Sequence, residues 1–72
     1  MIMNRIAIVL AEKQMKKKDL AALVGRNPNT ISRICRNESQ PNLADLFQMA
    51  NVLKVDVRDL LVPNKFANEP RS

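Results

Sequence analysis

The stretch KKKDLAALVGRNPNTISRICR, residues 16–36, decides the fold. Leu20, Ala21 and Val24 recur at helical spacing, which predicts a helix over about Lys17 to Val24, and Gly25 can take the left-handed conformation at its end. Met15, just before this helix, can pack on Leu20 as a hydrophobic staple. Asn27 is a good N-cap and Pro28 suits the first helical position, so a further helix restarts at once. It is expected to run to about Arg36, inward through Ile31, Ile34 and Cys35. Two short helices joined by about three residues with a glycine form a helix-turn-helix arrangement.

Lys16, Lys17 and Lys18 occupy the first turn of the first of these helices. Cations there oppose the helix macrodipole, and Ser, Thr or Asp would cap the free amides better. Three charges in a place unfavourable to stability point to an anionic partner. The unpaired N–H groups of the same turn are a natural seat for a phosphate. Seven of the 12 cations fall between residues 13 and 36 with one acid, Asp19, which makes that segment +6. The other five cations and six acids sum to −1, so the net charge of +5 belongs to one third of the chain. A solvated basic face is the ordinary meaning of a charge run. Joined to the lysine-bearing turn, it reads as a nucleic-acid binder.

Outward from this stretch, Ile2, Ile6, Val9 and Leu10 form one stripe of a helix from about Asn4 to Gln14, with Ile8 on the opposite side, a stray apolar residue or a partner contact. After the polar loop Asn37 to Gln40 and Pro41, Asn42 with Asp45 three residues on resembles a capping box. It opens a fourth helix with Leu43, Leu46, Phe47, Ala50 and Leu53 inward. Val55 and Leu60 bracket the cap Asp56, which predicts a fifth short helix to about Leu61. Residues 1–62 are expected to form the domain, and 63–72 a polar, flexible tail.

A chain of 72 residues makes one domain and buries only about 60% of the surface its unfolded form exposes. With 46% apolar residues and one Gly, the composition suits a compact all-α domain. Cys35 is the single cysteine and there is no histidine, so an internal disulfide is excluded, and neither a metal site nor a cofactor is expected. A buried, inert Cys35 thiol in a reducing, cytoplasmic compartment is the expectation. No stretch is long enough to cross a bilayer. Catalysis is disfavoured: there is no His, no activated Cys environment, and no paired carboxylates outside caps such as Asp56 and Asp59. RNA is disfavoured because stacking aromatics are scarce: two Phe, no Tyr and no Trp.

Lys17, Asp19, Leu20, Ala21 and Gly25, then Asn27, Thr30, Ile31, Ser32, Arg33 and Ile34, then Pro41, Leu43, Leu46, Ala50, Leu53, Val55, Leu60 and Leu61 carry a resemblance. Over about residues 4 to 61 the chain resembles the Cro/C1-type (Xre-like) helix-turn-helix DNA-binding domain. The resemblance implies a five-helix lambda-repressor-like fold and sequence-specific binding of double-stranded DNA by a small transcriptional regulator, a repressor acting as a homodimer. In this motif the second helix lies in the major groove and the first crosses the backbone. Carried over, Asn27, Asn29, Thr30 and Arg33 are the candidate base readers, with Asn29 and Arg33 foremost. Lys16, Lys17, Lys18, Arg36 and Asn37 are the candidate phosphate contacts. The implied dimer surface lies near the loop after helix three and the start of helix four, with Phe47 or Ile8 contributing. An antitoxin or anti-repressor acting through protein contact is the alternative.

The chain departs from the family pattern in four places. Lys16-Lys17 stands where Thr-Gln usually opens helix two, replacing a Gln contact to phosphate by point charges. Leu10 and Cys35 replace a buried Arg–Glu pair by apolar packing. Asn37 and Lys54 stand where glycines commonly follow helices three and four, and Lys54 is less at ease with positive φ.

Overall fold

The computed structural model describes residues 1–66. Four α-helices, α1 (Ile6–Glu12), α2 (Lys17–Val24), α3 (Pro28–Cys35) and α4 (Leu43–Leu53), are followed by a 3-10 helix, Val57–Leu60. The expected fifth helix is therefore a single tight turn. Asp56 caps it, its carboxylate accepting from the Arg58 amide at 2.8 Å.

Each of the five elements contributes one large, fully enclosed side chain, Ile6, Leu20, Ile31, Met49 and Leu60 in chain order. Burying a side chain of this size stabilises by about 1.5–3 kcal/mol relative to exposure, so these five anchor the assembly. α2 packs on α3 and α4, α4 on the 3-10 helix, and α1 on α3 and the 3-10 helix. Met15, half-buried beside this core, takes the staple position ahead of α2. Cys35 is buried, as expected of it.

Three residues read as inward are exposed: Ile2 (72%), Leu43 (69%) and Phe47 (50%). Ile2 precedes the first helix, which begins at Ile6 rather than Asn4, because residues 3–5 are drawn into an antiparallel ribbon with residues 60–62. Arg5 N–H donates to the Leu60 carbonyl (2.9 Å) and Val62 N–H to that of Met3 (3.0 Å), with Asn4 opposite Leu61. On α4 the packed stripe is Leu46, Met49, Ala50 and Leu53, which turns Leu43 and Phe47 to solvent.

All four helices end on a residue with positive φ: Gln14 (56°), Gly25 (69°), Asn37 (60°) and Lys54 (58°). In each case the chain folds back in a Schellman closure. After α3, for example, Glu38 N–H donates to the Arg33 carbonyl (2.9 Å) and Asn37 N–H to that of Ile34 (3.0 Å). Of the expected tail, residues 63–66 are exposed and the remainder lies outside the described residues. Among the described residues no helix is long and apolar enough to cross a membrane.

Candidate nucleic-acid interface

Nothing caps the start of α2: Lys16 sits at the N-cap with extended backbone and offers no side-chain acceptor. Lys16, Lys17 and Lys18 are all exposed. The turn therefore presents three ammonium groups and one carboxylate, that of Asp19, at the positive end of a helix dipole. At the other end of the motif, burial pushes the Cys35 thiol up, while Lys17 and Arg36 both act against that shift. The two cations thus stand within electrostatic reach of one buried sulfur. The beginning of α2 and the end of α3 therefore both lie near Cys35.

Between them, α3 buries Ile31, Ile34 and Cys35 and leaves Asn29, Thr30 and Arg33 exposed on its other side. Asn27 is exposed too, but its Oδ1 is committed to capping, accepting from the Asn29 amide at 2.8 Å. Its Nδ2 carries the remaining capacity to meet a ligand. Pro28 occupies the first turn, as the restart of the chain demands.

Two of the expected phosphate contacts are differently placed. Arg36 is exposed, yet its Nε is hydrogen-bonded to Glu38, whose carboxyl the guanidinium holds below the usual carboxylate range. An incoming phosphate there competes with an acid. Asn37 is the clearer correction, because its side-chain amide turns inward to the N-terminal segment. Its Oδ1 accepts from Met3 N–H (2.8 Å) and Asn4 N–H (2.9 Å), and its Nδ2 donates to the Asn4 carbonyl (3.2 Å).

Arg26, in the turn of the motif, received no role from the sequence. Its Nη2 and Nε donate to Asp45 Oδ1 at 2.7 and 3.2 Å, tying the turn to the first turn of α4. This also corrects the capping box. Asn42 Oδ1 accepts from the Asp45 amide (2.7 Å), but the Asp45 carboxylate faces Arg26 instead of returning to Asn42. A guanidinium is the stronger partner for a carboxylate than a backbone amide. The turn, α3 and the start of α4 enclose an open polar cleft lined by Asn27, Thr30, Ser39, Gln40 and Asn42. A loop rich in Asn, Ser and Gln after α3 was the only sequence signal for it.

A family model described as the Cro/C1-type HTH DNA-binding domain matches residues 5–65. A crystal structure described as that of a "putative DNA-binding protein from Bacteroides fragilis" superposes with a TM-score of 0.83 at 50% sequence identity. The match covers 86% of this chain and 100% of that one. No curated protein sequence matches the chain.

Proposed function

The chain belongs to the Cro/C1-type helix-turn-helix DNA-binding domain family, and from that membership we propose that it is a sequence-specific transcriptional regulator, a repressor. α3 lies in the major groove of a double-stranded DNA, with its N-terminal residues on base edges and α2 crossing the backbone. Arg33 pairs with guanine and Asn29 with adenine, while Asn27 and Thr30 reach neighbouring bases. Lys16, Lys17, Lys18 and Arg36 hold phosphates on either side and fix the register.

The observation that carries this reading is the pairing of two surfaces. The outward side of α3 is polar and exposed at Asn29, Thr30 and Arg33, and it is flanked by a helix start that bears lysines and no cap. A stability-driven design would place an acceptor at that start.

Two copies bind half-sites about 34 Å apart, since one domain makes a small footprint. Leu43 and Phe47, exposed one turn apart on α4, support the α4 side as the contact between copies. Enrichment of bound duplexes from a random pool tests the whole reading. The expected product is one motif arranged as an inverted repeat, bound with log affinity falling by about 0.9 per neutralised phosphate against log salt. Equal binding to enriched and random DNA would overturn sequence reading and favour a role directed at a protein.

A further inference from the structure

We propose that Asn4 and Asn37 form a clasp that positions the recognition helix α3, so that a segment outside the helix-turn-helix governs how sharply bases are discriminated. The proposal rests on the sequence-reading function above. The carbonyl of Ile34, in the last turn of α3, accepts from Asn37 N–H at 3.0 Å and from Asn4 Nδ2 at 3.0 Å. Both of its lone pairs are used. Asn4 Nδ2 also donates to Gln40 Oε1 (2.8 Å), and Asn4 Oδ1 accepts from Ile6 N–H (3.1 Å), closing the start of α1, where Arg5 offers no cap. Gln40 Nε2 donates to Asn37 Oδ1 at 3.1 Å, joining the loop after α3 to the same knot.

Among the described residues Asn4 is the one buried polar residue, 4% exposed, and no buried side-chain polar atom lacks a partner. Such a network is rigid because losing any member strands another. α3 has eight residues and so spans about 12 Å. Ile31, Ile34 and Cys35 seat its inner face on the core, and its two ends complete its placement: the turn holds one, and the clasp holds the other. Base reading needs side chains held to within about 0.5 Å and 10–20°, which a loose end of so short a helix cannot provide. Asn4 and Asn37 touch no base in this arrangement; they are positioning residues.

The deciding variant is Asn37→Gly. Glycine adopts φ of +60° without strain, so the Schellman closure persists and only the side-chain bonds to Met3, Asn4 and Gln40 are removed. The free variant is expected to show altered amide shifts and faster amide exchange across residues 28–36. On DNA, its preference for the wild-type-enriched duplex over a random one is expected to fall about tenfold. Its affinity for the random duplex and its salt slope stay near wild type, since the lysines are untouched. A folded Asn37→Gly protein with undiminished preference overturns the proposal. Asn4→Asp, which puts acceptors where Ile34 and Gln40 need donors, is expected to show the same loss of preference. If the wild type itself shows no preference, the sequence-reading function fails, and the amides of the free Asn37→Gly protein then decide the clasp. Changes spreading through α3 support it, and changes confined to residues 3, 4, 37 and 40 overturn it.

Discussion

Arg33 and Lys17 are both exposed cations of the motif, yet they answer to different physics. Arg33→Ala removes the proposed base reader, so it is expected to cost about 1–3 kcal/mol on the enriched duplex and to relax preference at one base pair. Lys17→Ala is expected to weaken all sequences alike and to reduce the salt slope by about 1. Binding isotherms on enriched and random duplexes at several salt concentrations separate the two. Asp56 makes a pH prediction. Hydrogen bonds from the Arg58 side chain and amide hold its carboxyl below the ordinary value. A depressed folded pKa contributes stability that is present above the unfolded value, near pH 4, and lost as pH falls through the lower folded one. An NMR titration of the Arg58 amide is expected to give a midpoint below about pH 3.9, and a midpoint at or above it contradicts the cap. Residues that act on near neighbours were legible from sequence. Asn27 reaches two residues along and Asn42 three, and both cap as expected. Asn37 was not legible, because its partners Met3 and Asn4 lie 34 and 33 residues away. Arg26 was missed for the same reason, Asp45 being 19 residues on.

The boundaries of α2 and α3 follow from local chemistry, a glycine at one end and Asn-Pro at the next beginning. α4 is different: Leu43, Leu46, Phe47, Met49, Ala50, Val52 and Leu53 offer more apolar positions than one face can hold. Only contact with α2 and the 3-10 helix selects the stripe that includes Met49, which periodicity did not single out. The left-handed helix ends give the stability prediction. A Cβ at Gly25 would meet no atom within 4 Å, so Gly25→Ala tests the backbone alone and is expected to destabilise by about 1 kcal/mol. Lys54→Gly relieves the same strain at φ of 58° and is expected to stabilise by about 0.5–1 kcal/mol, less for the entropy glycine adds to the unfolded chain. Thermal melts read both, as shifts of several degrees in opposite directions for a domain of this size.

At the scale of the molecule, the cations of residues 13–36 all stand exposed, most of them on the helix-turn-helix, and the exposed Leu43–Phe47 stripe is the proposed contact between copies. Phe47→Asp is expected to leave the fold intact, because the side chain is half exposed, and to reduce the complex on an inverted repeat from two chains to one. Band-shift stoichiometry on whole and half sites checks it, and an unchanged two-chain complex removes Phe47 from the contact. The ribbon between residues 3–5 and 60–62 joins chain segments almost the full length of the domain apart. Closing so long a loop is entropically the most demanding contact to make, while the ribbon has few bonds to hold it. Fraying at its exposed outer end, the Met3–Val62 bond, is therefore the cheapest partial opening, while buried Asn4 and Leu60 hold the inner end. The Val62 amide should exchange with solvent ahead of the Arg5 amide and of those around Leu20, and a molecule caught with only that end open keeps its helices and the Asn4 tether on α3.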